Sequence, residues 1–255
     1  MVNASAKRIV WHDEVIIKQF ISYAVGCMMG RYRLDKPGLA IAHPNATGEE
    51  IAPYAVPSAL RQAQGPSETK FIIDDDGIIP LMTRECAFTD NAVNRFTDFL
   101  RVVFGADTLT DNLNFVEKCL DKTVEEYLYK DFWNNHKKMY QNRPIYWLFA
   151  SKKGTFKVIA YMHRMNRYTL ERIRSQYLLP HIDYLKTRVE SLRQNVADLS
   201  AIDRKTLKRL ETNLAECLEY HDILHEYADK QIEFDLDDGV VNNLKLFGKV
   251  VVSPK

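Results

Sequence analysis

The sequence predicts an α+β fold that is mostly helical, and three observations predict it. Apolar residues alternate at helical spacing through residues 178–199, which is the pattern of a helix that packs along a second helix. Two strand-like runs, 145–150 and 156–161, flank a turn around Lys152-Lys153-Gly154 and predict a small antiparallel hairpin or sheet. The alternating strands and helices that build a parallel doubly wound sheet are missing from the sequence.

The amino-terminal part of the chain predicts one helix followed by irregular structure. A broad apolar face runs through residues 13–34, and Gly26 and Gly30 lie on one side of it. Because glycine weakens a helix, this pair indicates that another segment approaches its backbone closely. Prolines and glycines interrupt every periodic pattern in residues 36–70, where we expect an irregular, mobile or inserted segment.

An acidic turn follows. A short strand at 71–73 is predicted to enter Asp74-Asp75-Asp76-Gly77, and the chain leaves this turn through Ile78-Ile79-Pro80. Neighbouring carboxylates suit a hard cation, but the spaced ligands and the terminal glutamate of a calcium loop are missing. We therefore interpret the segment as a turn and predict no metal there.

Residues 89–140 predict three helices. Thr89 or Asp90 is a suitable N-cap for the first helix, and Gly105 is a suitable residue for its end. The other two helices are expected at 112–120 and 124–140. The second of these carries an aromatic face, which predicts that it packs into a core.

The last third predicts a long antiparallel helical hairpin, similar to a coiled coil, over about 178–232. The return arm begins where Ser200 and Asp203 form the pattern of a capping box. The apolar seam consists of Leu178, Ile182, Leu185, Val189, Leu192, Val196 and Leu199 on the first arm and Leu207, Leu210, Leu214, Cys217, His221 and Leu224 on the second. Cys217, His221 and His225 also share a helix face, but residues eight apart are about 12 Å apart along a helix, so we predict no zinc site.

Charge is strongly segregated along the chain although the net charge is only +1. Residues 131–209 contain 17 lysines and arginines against 6 acidic residues, whereas residues 210–240 contain 1 against 10. A block of positive charge that also contains aromatic residues is typical of a surface that binds a polyanion, and solvated helix faces produce the same pattern. Nucleic acid and plain solvent exposure both remain open on charge alone.

Composition indicates a cytoplasmic, folded chain. The four cysteines form no Cys-x-x-Cys pair and are expected to be reduced thiols. No apolar run is long enough to cross a membrane, and the first residues carry no apolar stretch like that of a signal peptide. The sequence therefore predicts no membrane association.

Four segments together resemble one protein family. They are Ile21–Asp35, Asp74–Pro80, Arg143–Gly154 with its continuation Tyr161–Arg164, and Asp235–Val240. Their order and spacing resemble the carboxy-terminal half of the PglX family, which comprises the adenine-specific DNA methyltransferases of the BREX phage-defence systems. The segments resemble more loosely the target-recognition regions of fused restriction-modification enzymes. The similarity extends from about residue 13 to the end, and its most specific block is 143–164.

This resemblance implies a target-recognition-like α+β region, 1–170, followed by the helical hairpin and a carboxy-terminal tail, 171–255. Adenine methylation needs a glycine-rich loop for S-adenosylmethionine and an Asn-Pro-Pro-Tyr type motif, and this sequence contains neither. We therefore expect no catalytic or cofactor-binding residue here. The resemblance implies that the parent enzyme uses S-adenosylmethionine, bound by an upstream methyltransferase domain that is a partner of this region.

The expected ligand is double-stranded DNA. The candidate contacts are six basic residues and one aromatic residue of the positive block: Lys152, Lys153, Arg164, Arg167, Tyr168, Arg172 and Arg174. A hairpin tip can enter a groove, and arginines at the start of a helix can contact phosphate or guanine. The alternative is a protein-interaction module in which the helical arms and the acidic segment dock other defence proteins. An independent enzyme is disfavoured because the catalytic motifs are missing.

Overall fold

Two antiparallel sheets and a larger number of helices form the fold in the computed structural model, which describes residues 12–57, 70–194 and 199–254. The strands are β1 (Tyr54–Ala55), β2 (Lys70–Phe71), β3 (Ile78–Pro80), β4 (Tyr146–Ala150) and β5 (Lys157–Tyr161). β1 pairs with β2, and β5 lies between β3 and β4 in a buried three-stranded sheet. Both sheets are antiparallel, which confirms the predicted class.

Helices account for most of the remaining described residues. They are α1 (Asp13–Met28), α2 (Gly48–Ile51), α3 (Ala92–Phe104), α4 (Leu109–Leu120), α5 (Val124–Glu126), α6 (Phe132–Met139), α7 (Thr169–Arg172), α8 (Leu179–Gln194), α9 (Ala201–Ala228) and α10 (Val240–Leu246). Two π-helical segments, Tyr127–Asp131 and Ile173–Leu178, join α5 to α6 and α7 to α8. No helix in the described parts of the chain is long and apolar enough to span a bilayer.

The first helix ends earlier than its apolar pattern predicts. Gly30 adopts φ +75°, its N–H donates to the carbonyl of Cys27 at 3.1 Å, and the N–H of Arg31 donates to the carbonyl of Gly26 at 2.8 Å. This pair of hydrogen bonds is a Schellman cap, which reverses the chain at a left-handed glycine. The prediction of one helix through residue 34 was therefore wrong.

The region between α1 and α3 is more regular than the sequence predicts. Thr47 and Glu50 form a capping box at the start of α2, and β1 follows within the segment expected to be irregular. Residues 58–69 of that segment lie outside the described residues. Ile78–Pro80, expected only as the exit from the acidic turn, pairs with β5 as a third strand. Three residues ending in proline give too short a pattern to predict a strand.

The N-cap of α3 is Asn91 and neither Thr89 nor Asp90. The Asn91 side chain accepts hydrogen bonds from the backbone N–H groups of Val93 and Asn94, both at 3.1 Å. The amide nitrogen of the same side chain donates to the carbonyl of Phe88, and this bond fixes the orientation in which Asn91 caps the helix. Gly105 ends the helix with φ +101°, as predicted.

The predicted helical hairpin is present as α8 and α9. Leu178, Ile182, Leu185 and Val189 are buried on the first arm, as are Leu210, Cys217 and Leu224 on the second; Val196 lies outside the described residues. Ser200 caps α9 by accepting from the backbone N–H of Asp203 at 3.1 Å. The first arm begins before residue 178, because the helix runs on from α7, and the π-helical segment just before Pro180 accommodates a residue that cannot donate a backbone hydrogen bond.

The hairpin and the carboxy-terminal tail pack against the sheet. Trp147 on β4 contacts Phe234 and Phe247, each at 5.3 Å between ring centroids, and Phe156 contacts Tyr220 of α9 at 6.0 Å. Val252 donates its N–H to the carbonyl of Leu148, which ties the tail to β4. One hydrophobic cluster thus includes residues on both sides of position 170. The division of the chain at that position stays a prediction.

Candidate nucleic-acid interface

The β4–β5 turn presents two lysines at the end of a rigid hairpin. Gly154 adopts φ +77° and donates its N–H to the carbonyl of Ser151 at 2.9 Å, which closes the turn. The Ser151 hydroxyl accepts from the N–H of Phe156 at 3.0 Å. Lys152 and Lys153 lie between these anchors with exposed side chains. The turn is fixed by its own hydrogen bonds, so the two ammonium groups project from a defined position.

A carboxylate from the helical hairpin fixes the same turn from outside. Glu216 of α9 accepts from the backbone N–H of Lys153 and from the hydroxyl of Thr155, both at 2.6 Å. Burial raises the pKa of Glu216, but hydrogen bonds from Ser151, Thr155 and the Lys153 backbone outweigh it and hold the pKa below its ordinary value. The carboxylate therefore stays ionised and joins α9 to the hairpin tip.

The turn and the two helices enclose a cleft of about 340 Å³. Lys153 lines it from the turn, Arg188 from α8 and Arg209 from α9, and the carboxylates of Glu85 and Glu216 line it as well. Arg209 pairs with Glu85 at 3.2 Å, and both side chains are about half exposed or more. Arg188 is exposed and pairs with no carboxylate in the described residues. Three cations from three elements thus converge on one opening.

Sequence reasoning missed Arg188 and Arg209. Both lie within the positive block, but they are 21 positions apart on different helices, and a glutamate follows two positions after each. Their convergence on Lys153 depends on how α8 and α9 dock against the hairpin tip. The one signal in the sequence was the positive block itself, which identified the region but not its members.

The remaining candidates, Arg167, Tyr168, Arg172 and Arg174, lie outside this cleft. Arg167 and Tyr168 are exposed, and Arg167 pairs with Glu233 at 2.6 Å. Arg172 is partly buried, and Arg174 binds Glu171 through two hydrogen bonds of 2.7 and 2.8 Å. The Arg174 guanidinium lies 3.3 Å from His221 of α9, and none of these four residues lines the cleft that contains Lys153. The structure therefore does not bring the two groups together in one cleft.

Arg164 occupies a different environment from the one expected of a DNA contact. Its side chain is 3% exposed, and its guanidinium donates to the carbonyls of Met29, Asp74 and Asp75 at 3.2, 2.7 and 2.5 Å. The aliphatic part packs on Gly77, where an added Cβ would lie 3.1 Å from the arginine Cδ. Arg164 holds the acidic turn against α1, so the prediction that it reaches DNA does not fit this burial.

The carboxylates of the acidic turn accept hydrogen bonds from donors within the protein. Asp74 accepts from the N–H groups of Gly77 and Ile78 at 2.6 and 3.0 Å, and from Arg95 at 2.6 Å. Tyr177 lies 3.1 Å from both carboxylate oxygens of Asp76. The three carboxylates lie within 4.8 Å of one another, but Asp74 and Asp76 already have partners that account for their positions. The arrangement fits a structural turn.

The column of possible soft ligands on α9 is also engaged in packing. Cys217 is fully buried as a free thiol, and burial raises its pKa to about 12. His221 lies 3.3 Å from the guanidinium of Arg174. Within the described residues, these side chains and His225 do not converge on a common point that would hold a metal ion.

Comparison with known proteins shows two relatives and no matching protein-family model. The chain is 37% identical, over 263 aligned positions that cover 96% of it, to an adenine-specific methyltransferase BrxX of Escherichia coli O9:H4 (strain HS). It is 32% identical, over 89% of its length, to an adenine-specific methyltransferase PglX of Lacticaseibacillus casei (strain Zhang). The chain spans about a fifth of the length of each relative, 21% and 19% respectively.

Proposed function

This chain is homologous to a segment of the adenine-specific methyltransferases BrxX and PglX, and from that premise we propose that it is the DNA-recognition part of a BREX adenine methyltransferase. The methyl transfer is then carried out by another domain, which binds S-adenosylmethionine and the target adenine. In this division of labour the present region selects the DNA site and holds it in position.

The observation that carries this proposal is the cationic cleft between the β4–β5 turn and the helical hairpin. Lys153, Arg188 and Arg209 converge there, and Lys152 is exposed next to it. DNA carries one negative charge per phosphate, so cations spaced along a surface gain affinity by releasing condensed counterions. The major groove of DNA admits an α-helix or a two-stranded ribbon, and this site presents both kinds of element.

The cleft offers different kinds of contact to different parts of DNA. Lysine ammonium groups act as point charges for phosphate, whereas the forked guanidinium of Arg188 suits phosphate or the major-groove edge of guanine. Thr155 and Asn213 line the same cleft and supply uncharged hydrogen-bonding groups. We propose that the lysines position the duplex and that Arg188 contributes to sequence selection.

Fluorescence anisotropy with labelled duplex DNA tests the proposal. Saturable binding that weakens with salt is expected, and Lys152→Glu with Lys153→Glu is expected to weaken it strongly. The matched control is Lys36→Glu with Lys118→Glu, which changes the net charge equally at two exposed lysines that do not line the cleft. Equal loss in both double variants would show that only net charge matters and would contradict a specific interface.

Protein docking is the second candidate, and the surface of α9 is the observation in its favour. The helix exposes Leu218 and Ile202, and acidic residues follow along the same segment. A partner with a basic, partly apolar surface would fit it. Absence of DNA binding at low salt by a correctly folded chain would favour this candidate over DNA recognition.

A further inference from the structure

A second cleft, on the α1 side of the molecule, contains a cation that no carboxylate neutralises. Arg31 follows the Schellman cap of α1 and is partly buried. In the described residues no aspartate or glutamate forms an ion pair with it. Its cleft of about 470 Å³ is also lined by Gln19, Ser22 and tyrosines, and by no acidic residue of the described chain. A partly desolvated cation without a counter-ion favours an anionic ligand.

Two phenol groups hold the Arg31 guanidinium without neutralising its charge. Its Nη1 donates to the hydroxyl of Tyr140 at 2.5 Å. The hydroxyl of Tyr146 also hydrogen-bonds to the guanidinium. A guanidinium carries five N–H donors, and those that two phenols leave over can bind the oxygens of a phosphate or carboxylate. Arg31 is thus held in place by Tyr140 and Tyr146 while further donors remain for a ligand.

Aromatic rings form the walls of the same cleft. Tyr23 and Tyr32 stack with centroids 5.4 Å apart and planes inclined by 24°, and Tyr23 is 41% exposed. The Arg31 guanidinium lies 4.9 Å from the centroid of Tyr32 and 5.5 Å from that of Tyr140. An exposed ring at the end of a stack is a surface on which another planar ring can lie.

Gly26 makes this arrangement possible. A Cβ at position 26 would lie 2.7 Å from the ring of Tyr32, closer than real Cβ contacts, so the ring packs where a side chain would be. The backbone N–H groups of Arg31 and Tyr32 both donate to the carbonyl of Gly26, at 2.8 and 3.3 Å. The two glycines of the sequence pair therefore have distinct roles: Gly30 reverses the chain, and Gly26 receives Tyr32.

The groups behind the cleft are uncharged. Burial, with a smaller contribution from Arg31, lowers the pKa of His136 to about 3. Burial and Arg31 also lower the pKa of His163. Both imidazoles are neutral at physiological pH and do not compensate the arginine. These two imidazoles therefore leave the positive charge of Arg31 uncompensated.

We propose that this cleft binds a nucleotide unit, with the phosphate on the Arg31 guanidinium, which no carboxylate neutralises, and the base stacked on Tyr23. A phosphate meets the unpaired guanidinium, and a base meets the exposed ring, so one ligand satisfies both features. The ligand is either a free nucleotide or one nucleotide of a single strand of DNA. The site shares no residue with the cationic cleft of the proposed DNA interface and does not depend on that proposal.

Isothermal titration of the full chain with four probes tests the site. The probes are deoxyadenosine monophosphate, deoxyadenosine, inorganic phosphate and a five-nucleotide single strand. Saturable binding of the monophosphate is expected, about tenfold tighter than that of the nucleoside or of phosphate alone. Tighter binding of the pentanucleotide than of the monophosphate would identify a strand as the ligand, and equal binding would identify a free nucleotide.

Paired variants separate the two contacts. Tyr23→Ala is expected to weaken the monophosphate about tenfold, and Tyr23→Phe, which keeps the ring, to bind like the unaltered chain. Arg31→Gln is expected to remove the advantage of the monophosphate over the nucleoside, with Arg143→Gln as the control at an exposed arginine. If Arg31→Gln fails to fold, the two Tyr23 variants still decide the outcome. Absence of saturable binding, or equal affinities for Tyr23→Ala and Tyr23→Phe, would overturn the proposal.

Discussion

The carboxylate of Glu216 lies 2.6 Å from the backbone nitrogen of Lys153, across 63 positions of sequence. The same carboxylate accepts from the hydroxyl of Thr155. A side chain of the acidic return helix therefore sets the position of an exposed turn of the basic block. The acidic and basic segments of the sequence are in contact here, and this contact holds the lysine turn against α9 at the cationic cleft.

Replacing Glu216 with alanine is expected to destabilise the fold by about 1–3 kcal/mol, because the donors of Lys153 and Thr155 lose a buried acceptor. Since the pKa of Glu216 is lowered in the folded state, its contribution is present above the ordinary glutamate pKa and is lost as the pH falls through the folded pKa. Urea unfolding of the unaltered chain and of Glu216→Ala between pH 3 and 7 (a range set by the ordinary glutamate pKa of about 4.3) measures both effects. A stability difference that stays constant over this range would contradict an ionised acceptor.

Arg164→Ala is expected to destabilise the fold by about 3 kcal/mol or more, because three buried carbonyls lose their donor and the acidic turn loses its anchor. Arg167→Ala, at an exposed residue three positions later, is expected to change stability by less than about 0.5 kcal/mol. Chemical denaturation of both variants tests the contrast. If the two substitutions had equal effects on stability, the structural role assigned to Arg164 would be wrong.

Gly30 and Gly38 provide a matched test of close packing at a left-handed backbone position. Both have positive φ, +75° and +85°, but a Cβ on Gly30 would lie 2.8 Å from Ile41 and Ile73, whereas one on Gly38 would meet nothing within 4 Å. Both alanine variants carry the cost of the backbone conformation, about 1 kcal/mol. Gly30→Ala is expected to lose about 1–3 kcal/mol more, through overpacking. Thermal unfolding of the two proteins compares them, and equal losses would refute the packing argument.

Asp76 is expected to make stability depend on pH between about 4 and 8. Burial and the neighbouring Asp74 raise the pKa of Asp76 to about 8, so the folded state holds this proton more tightly than the unfolded chain does. The associated stability is complete below the unfolded pKa near 3.8 and is lost as the pH rises through the folded pKa. Asp76→Asn is therefore expected to gain stability relative to the unaltered chain at pH 8 and to lose that advantage at pH 4. Urea midpoints measured at both values provide the comparison, and an unchanged difference would argue against a raised pKa.

The salt dependence of duplex binding is expected to report the contacts of the cationic cleft. If Lys152, Lys153, Arg188 and Arg209 each neutralise one phosphate, the log–log slope of affinity against salt is about −3.6. The double lysine-to-glutamate change is expected to reduce the slope by about 2. Arg188→Ala is expected to lower discrimination among sequences more than Lys152→Ala does, because guanidinium can grip guanine in two places. A slope near zero in a folded sample would exclude phosphate contacts as the source of affinity.

Gly26 and Gly30 show which features a local sequence pattern predicts and which it does not. Their spacing predicted close packing, and the structure places Tyr32 against Gly26 and Ile41 against Gly30. The same apolar pattern suggested a helix through residue 34, since hydrophobic periodicity continues beyond the point where the chain reverses. A left-handed glycine ends a helix through two backbone hydrogen bonds, and the spacing of Gly26 and Gly30 alone does not tell whether a glycine lies within the helix or ends it.

The sequence by itself determined the antiparallel hairpin at Tyr146–Tyr161, the helical arms with their Ser200 cap, and the mostly helical α+β class. These features depend on spacings within a single element and are local. Only the tertiary structure decided which cations share a cleft. It buried Arg164 against the carbonyls of the acidic turn and brought Arg188 and Arg209 to Lys153. Burial and convergence arise from how elements dock over long sequence separations, and residue type alone does not distinguish an arginine that anchors a turn from one that faces solvent.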